Sequence, residues 1–316
     1  MTNIFVDGQA GTTGLQITAR LQAAQQFELL TLSDDERKDP AHRAAALQAA
    51  DVAILCLPDA AAREAVTLAG EDTRIIDAST AHRLAPEWVY GLPELNADQR
   101  DAIASARLVA NPGCYPQGFI LLTKPLIDAG LLAADSAMHC NAVSGYSGGG
   151  RSMIEDHTAY DAEQAEALNT QAYGLALQHK HVPEMQAFSG LTRAPVFAPS
   201  VAHYYQGMLV QVPLHASQLQ TGTSAEDVVA ALTAAYADAQ FVDVVSADPE
   251  RHAAVVAHGF LNPTACNDTN RMELFIFHHA QQLLLCARYD NLGKGAAGAA
   301  MQNLNIMLGL QENLGL

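Results

Sequence analysis

"FVDGQAGTTGLQI" (residues 5–17) spaces Gly8, Gly11 and Gly14 as G-x-x-G-x-x-G, between an apolar run that reads as a strand and a segment that reads as a helix. Glycines at that junction permit a tight turn and let backbone N–H groups approach a pyrophosphate at the positive end of the helix. Three glycines in seven residues also occur where a turn is merely closed. The flanking strand and helix and the place at the very start of the chain favour dinucleotide binding.

Working outward from the turn, the first 110 residues alternate short apolar runs, "NIFVDG" (3–8), "FELLTL" (27–32), "DVAILCLP" (51–58), "TRIIDAS" (73–79) and "ARLVANPG" (106–113), with Ala/Leu/Gln-rich stretches at 15–26 and 40–50. Such alternation predicts an α/β fold, a parallel sheet with helices on both faces in a Rossmann-like domain. The second run should end near the adenosine ribose. There the chain offers Ser33, Asp34, Asp35, Glu36, Arg37 and Lys38. Either Arg37 and Lys38 grip a 2′-phosphate with Ser33 donating a hydrogen bond, as NADP requires, or the segment is a solvated charged loop.

Beyond residue 114 the pattern changes. A helix is expected over 115–130, bent where Pro125 removes a backbone donor. A strand at 136–145 runs into the glycine cluster "SGYSGGGR" (144–151), a candidate for a loop that closes over a site. Runs at 204–214, 271–279 and 282–291 read as longer strands, the last two forming a hairpin around Ala280-Gln281. This predicts an α+β domain on a mostly antiparallel sheet. Residues 293–310 read as a C-terminal helix with small residues on one face.

The 34 acidic residues against 17 basic ones, a formal charge of −17, argue against nucleic acid or an anionic membrane as partner. No stretch approaches the ~20 apolar residues of a membrane span, and no secretory signal opens the chain, so a cytoplasmic protein is expected. Five widely spaced cysteines without a C-x-x-C pair fit free thiols better than a disulfide frame or a zinc site. No metal is expected.

One thiol stands apart. "NPGCYPQG" (111–118) places Cys114 after a Pro-Gly turn and before a helix, where unpaired N–H groups favour a thiolate. The plain alternative is a small residue packing a turn. Cys56, Cys140 and Cys286 sit in apolar strands and read as inert, and Cys266 reads as a loop thiol. A thiol nucleophile beside a nicotinamide suggests a thioester and aldehyde-level chemistry, which needs an acid/base. "HKHVPEM" (179–185) offers His179 and His181; in an extended segment their i, i+2 spacing turns them to opposite sides, so only one faces the site.

Taken together, "GxxGTTGLQI", "LPD" (57–59), "DASTAHR" (77–83), "YGLPEL" (90–95), "NPGCYPQGF" (111–119), "SGYSGGGR", "HKHVPEM", "YYQGMLVQVPL" (204–214) and "NLGKGAAGAAMQNLN" (291–305) resemble, in order and over the whole chain, the short-form N-acetyl-gamma-glutamyl-phosphate reductases. The resemblance implies NADPH-dependent reduction of a small acyl phosphate, N-acetyl-gamma-glutamyl phosphate, to the semialdehyde and phosphate, in arginine biosynthesis. It implies an NADP domain over 1–114 completed by 291–316, a catalytic and oligomerisation domain over 115–290, and a homodimer or homotetramer. By motif, Cys114 is the nucleophile and His181 the acid/base, with His179 left open. Gly8, Gly11, Thr12, Thr13 and Gly14 match the cofactor loop; Ser33, Arg37 and Lys38 fall at the 2′-phosphate; Pro58, Ser79 and Asn291 fall on the nicotinamide side. Arg83 and Arg151 are candidate anchors for phosphate or carboxylate, and Asn111, Ser144, Gly145 and Glu184 complete the expected substrate contacts.

Two departures stand out. Longer members carry "HRHTPE" where Lys180 stands here, and an arginine before the glycine where this chain has Gln206-Gly207. Any role of that arginine is in doubt here. The competing readings are an aspartate-semialdehyde dehydrogenase-type reductase, which shares layout and thioacyl chemistry, and a non-catalytic NADP-binding sensor with an inert Cys114.

Overall fold

The computed structural model describes all of residues 1–316, which divide into two compact units. The first comprises Met1–Pro93, Ala97–Gly113 and Ala296–Leu316; the second comprises Glu94–Asn96 and Cys114–Gly295. No helix is long and apolar enough to cross a membrane.

In the first unit, strands β1 (Thr2–Asp7), β2 (Phe27–Leu30), β3 (Val52–Leu55), β4 (Arg74–Asp77), β5 (Val89–Tyr90) and β6 (Leu108–Ala110) form one all-parallel sheet in the order β2-β1-β3-β4-β6-β5. The runs are apolar at nearly every position because both faces are covered. Ile4, Val6, Ile54 and Ile76 pack on one side with Ile17 and Leu21 of helix α1 (Thr12–Ala24) and with Met301 and Leu304 of the C-terminal helix (Gly298–Met307). Phe5, Ala53, Leu55 and Ile75 pack on the other with Leu47 of α2 (Pro40–Ala49) and Ala62 and Ala65 of α3 (Asp59–Leu68). A further helix, α4 (Gln99–Ser105), precedes β6. The order in which strands are added reverses sides between β1 and β3, and ligands in such folds bind at that switch point, beyond the strands' carboxyl ends.

The second unit is built around helix α5 (Cys114–Asp128) and a seven-stranded sheet. Its strands are β7 (His139–Gly145), β8 (Thr170–Ala172), β9 (Val196–Ala202), β10 (Met208–His215), β11 (Val242–Val244), β12 (Met272–His279) and β13 (Gln282–Tyr289), in the order β11-β12-β13-β10-β7-β9-β8. Four of its six pairings are antiparallel; β7/β9 and β11/β12 are parallel. The expected hairpin is present: His279 pairs with Gln282, and Ala280 takes φ 51° to make the two-residue turn. Helices α6 (Gly150–Ala159), α7 (Ala162–Ala167), α8 (Val182–Ser189), α9 (Ala225–Ala235) and α10 (Pro249–Val255) fill the connections, several started by capping side chains such as Ser224 and Asp248.

Helix α5 passes through Pro125 without ending there. Proline has no N–H for the carbonyl four residues back, that of Leu121. The Tyr236 hydroxyl, at the end of α9, donates to that carbonyl at 2.7 Å instead. In the glycine cluster, Tyr146–Gly149 form a 3₁₀ turn leading directly into α6. The C-terminal element begins as a π-helical turn over Gly293–Ala297, with the fully buried Lys294 ammonium donating to both Glu94 oxygens at 2.9 Å.

Candidate active site

At the β1–α1 turn, Gly8 has φ 87°, and a Cβ there would lie 2.3 Å from the Cys56 carbonyl oxygen; one on Gly14 would lie 2.4 Å from the Gly8 oxygen. Only glycine fits at these two points. Gly11 caps α1 with no side chain bonded to the first-turn amides and no acidic residue in that turn, which leaves those N–H groups, with Thr12 and Thr13, to an anion. A pocket of about 230 Å³ opens beside Gly8, Gln9 and Ala10 and is also lined by Leu57, Arg37 and Arg43. These residues fit a dinucleotide: a glycine cradle for phosphate, apolar walls and a cation at the end of β2.

Ser33 and Glu36 brace the turn that carries this cation: the Ser33 N–H donates to the Glu36 carboxylate at 2.8 Å, which holds that carboxyl below its ordinary value. Arg37 pairs with Asp34 at 3.1 Å and remains over a third exposed, while Lys38 lies 3.9 Å from Asp35 and is largely exposed. Arg43, which sequence reading passed over, is held by Asp7 at 2.8 Å. Pro58 caps α3. Ser79 donates to buried Asp77 at 2.7 Å, an acceptor it shares with His82, whose ring stacks on Trp88. Arg83 is buried and donates to the carbonyls of Asn111 and Ala78, and the Asn111 amide donates to the Ala296 carbonyl. These bonds tie Arg83 and Asn111 into the first unit.

In the second unit, α5 begins at Cys114 itself. The hydroxyl of buried Tyr289 bridges its first turn, donating to the Cys114 carbonyl at 2.6 Å and accepting from the Gly118 N–H at 3.2 Å. A Cβ at Gly118 would lie 2.8 Å from that hydroxyl, so glycine is what admits the tyrosine. A pocket of about 220 Å³ is lined by Cys114, Tyr115, Ser144, Gly145, Tyr173, His179, Lys180 and His181, with Gly148, Gly149 and Met153 alongside.

Both histidines reach this pocket, against the expectation that only one would. The segment is a turn rather than a strand: the Val182 N–H bonds the His179 carbonyl at 3.0 Å, the His181 N–H bonds the His179 ring at 3.2 Å, and α8 follows. The two rings lie 4.7 Å apart, centroid to centroid. Glu184 is buried in the first turn of α8. Ser144 and Gly145 end β7; a Cβ on Gly145 would lie 2.6 Å from the Tyr205 oxygen, so the chain passes close under the β9–β10 connection. Arg151 is not brought in: it is exposed and pairs with Glu155 one turn along α6. Asn291 is buried, donating to the Ser147 hydroxyl and accepting from the Gly207 N–H. Gln206, at the position of the missing arginine, donates to Asp268 and Asp290.

Tyr115 and Tyr173 were not anticipated. Their hydroxyls are 3.0 Å apart, and burial raises both phenols well above the ordinary tyrosine value. Tyr115 adjoins the cysteine in the motif; nothing in the sequence marks Tyr173. Lys180 is the one cationic side chain lining the pocket. The other thiols are held protonated by desolvation: Cys56 and Cys286 are pushed up to about 12, Cys266 to about 11, and buried Cys140 is raised further. Cys266 lies in the turn before β12, a loop thiol as expected, and is buried there.

Residues 3–104 match the family described as semialdehyde dehydrogenase, NAD binding domain, and residues 114–291 match semialdehyde dehydrogenase, dimerisation domain. An N-acetyl-gamma-glutamyl-phosphate reductase of Burkholderia lata is 51% identical over 312 residues, covering 98% of this chain and 97% of the relative. One of Trichormus variabilis is 50% identical over 321 residues, 99% and 98% of the two chains. Aspartate semialdehyde dehydrogenase structures share the fold: that of Francisella tularensis superposes with TM-score 0.71 at 14% identity over 98% of this chain and all of its own, and that of Vibrio cholerae, complexed with ASA, with 0.70 at 16% over 98% of each. Two matched domains and half-identity over nearly the full length place this chain in the N-acetyl-gamma-glutamyl-phosphate reductase branch of the semialdehyde dehydrogenase family.

Proposed function

We propose that the chain catalyses NADPH-dependent reduction of N-acetyl-gamma-glutamyl phosphate to N-acetylglutamate 5-semialdehyde and phosphate, a step of arginine biosynthesis. The observation that carries this reading is a helix-initiating cysteine in one pocket with two histidines and a lysine, in a chain about 50% identical end to end to reductases of that name. The likeness to aspartate semialdehyde dehydrogenases is one of fold alone.

The Cys114 thiolate adds to the γ-acyl carbon, the carbon–oxygen bond to phosphate breaks, and a thioester remains. Lys180 is the cation available to the departing phosphate or to the substrate carboxylate. NADPH, when bound, supplies the hydride that reduces the thioester carbon to the aldehyde level. The resulting tetrahedral oxyanion collapses, the carbon–sulfur bond breaks, and Cys114 leaves as thiolate. His181, buried at the N-cap of α8, takes the Cys114 thiol proton as the thiolate forms and gives it to the departing phosphate, and a proton from solvent restores the thiol after the aldehyde leaves. Arg37 and Lys38 take the 2′-phosphate and the glycine loop takes the pyrophosphate. The active form is a homodimer or homotetramer, a reading supported by the dimerisation-domain match over 114–291 and tested by light scattering.

The test runs the reaction in reverse, as phosphate-dependent reduction of NADP⁺ with N-acetylglutamate semialdehyde or aspartate semialdehyde. Turnover with the first only, abolished in Cys114→Ser, is expected. Turnover with aspartate semialdehyde alone would sink the substrate assignment, and an unimpaired Cys114→Ser would sink the nucleophile.

A further inference from the structure

The two histidines of the Cys114 pocket are chemically distinguishable. With ring centroids 4.7 Å apart, a proton on one opposes a proton on the other. His179 is the one whose protonation state the backbone dictates. The His181 N–H donates to His179 Nδ1 at 3.2 Å, and this is the only hydrogen bond that ring makes within the chain. A ring nitrogen accepts only when it carries no proton, so Nδ1 keeps its lone pair and the neutral ring holds its proton on Nε2.

The surroundings act the same way. The ring packs edge-on to Tyr173, Tyr115 and Phe197, with centroids 5.8, 6.3 and 5.1 Å away. The titratable and charged groups about it are those two phenols, the Cys114 thiol, His181 and the neighbouring Lys180 ammonium. Desolvation and then the Lys180 charge hold His179 below the ordinary imidazole value.

We propose that His179 is a neutral, tautomer-locked hydrogen-bond donor whose Nε2–H goes to the substrate's acyl oxygen as Cys114 adds to the adjoining carbon, leaving the proton-carrying role to His181. The assignment deepens the reaction proposed above and rests on it. A fixed neutral donor suits this position because it stabilises the developing oxyanion without spending a proton, and its geometry is set before substrate arrives.

Two measurements test it. In the substrate-free enzyme labelled with ¹⁵N-histidine, His179, identified by its loss in His179→Gln, should show a protonated Nε2 and an unprotonated Nδ1 at pH 7; the opposite tautomer or a cation would overturn the proposal. In the assay, glutamine puts an amide N–H near the place of Nε2 and asparagine near that of Nδ1. His179→Asn should lose roughly 10²–10³-fold in kcat, the usual effect of deleting an oxyanion donor, and His179→Gln should recover most of that loss with the pH limb of kcat in place. Equal activities of the two variants, or loss of the pH limb in His179→Gln, would overturn it. A wild type that does not turn over this substrate at all would refute the reaction; the spectrum still decides the tautomer.

Discussion

The helix that presents Cys114 depends on a tyrosine from another element, and the dependence can be measured. Pro125 deprives the Leu121 carbonyl of its helical donor, and the Tyr236 hydroxyl replaces it at 2.7 Å. Leu121 is 1% exposed and Tyr236 5%, so water does not compensate when the hydroxyl goes. Tyr236→Phe keeps the ring and leaves a buried acceptor unsatisfied, which costs ~1–3 kcal/mol. For a unit of this size that lowers Tm by roughly 2–12 °C. Pro125→Ala restores an N–H at the right place. In that background Tyr236→Phe should cost less than about 0.5 kcal/mol, and the double-mutant cycle over urea unfolding, followed by far-ultraviolet circular dichroism, should give a coupling of ~1–2 kcal/mol. Equal cost in both backgrounds would show that the hydroxyl does not stand in for the proline's missing donor.

Lys294→Met removes the ammonium that donates to both oxygens of the fully buried Glu94 carboxylate and should destabilise by ~3–5 kcal/mol, with much of the loss recovered in Lys294→Met/Glu94→Leu; urea midpoints of the two variants decide it. His157 shares a 3.0 Å Nδ1–Nδ1 contact with His203, stacks on Tyr146 and neighbours Tyr160 and Asp156; desolvation and then the His203 charge lower its value below 6.5. The folded state thus binds fewer protons than the unfolded one between that lowered value and 6.5, so this stability is present above 6.5 and lost on acidification through the folded value. His157→Phe keeps the stack and should flatten the rise of Tm between pH 5 and 7; an unchanged slope would assign it to other groups. Arg37→Ala with Lys38→Ala should raise KM for NADPH by 10-fold or more while leaving that for NADH nearly unchanged, since each charge-assisted phosphate contact contributes ~1.5–3 kcal/mol; a parallel rise for both cofactors would refute the 2′-phosphate assignment.

Local chemistry explains what was legible in the sequence. Gly8 and Gly14 could be read because backbone stands within 2.4 Å of any added Cβ, a constraint no other residue satisfies. The apolar β1–β4 runs and the β12–β13 hairpin were legible because a covered sheet and a two-residue turn leave period and punctuation in the chain. Cys114 was legible from the Pro-Gly turn before it and the helix after it.

What the sequence left open, the folded chain resolved through contacts between distant residues. Alternation put His179 and His181 on opposite sides; a hydrogen-bonded turn puts both in one pocket. Arg151 carries the guanidinium that suits a phosphate, yet one helical turn brings it to Glu155 instead, whereas Tyr173 reaches the site from β8 and the turn after it, with no motif to mark it. Sequence by itself determined most element types, the glycine cradle, the place of Cys114 at a helix start and the family, because each is set by neighbours along the chain. Only the tertiary structure decided that both histidines line one pocket, that Arg83 is buried against backbone carbonyls while Arg151 is exposed, and what surrounds the thiol. Those depend on side chains that meet only after the sheet has brought distant strands within hydrogen-bonding reach.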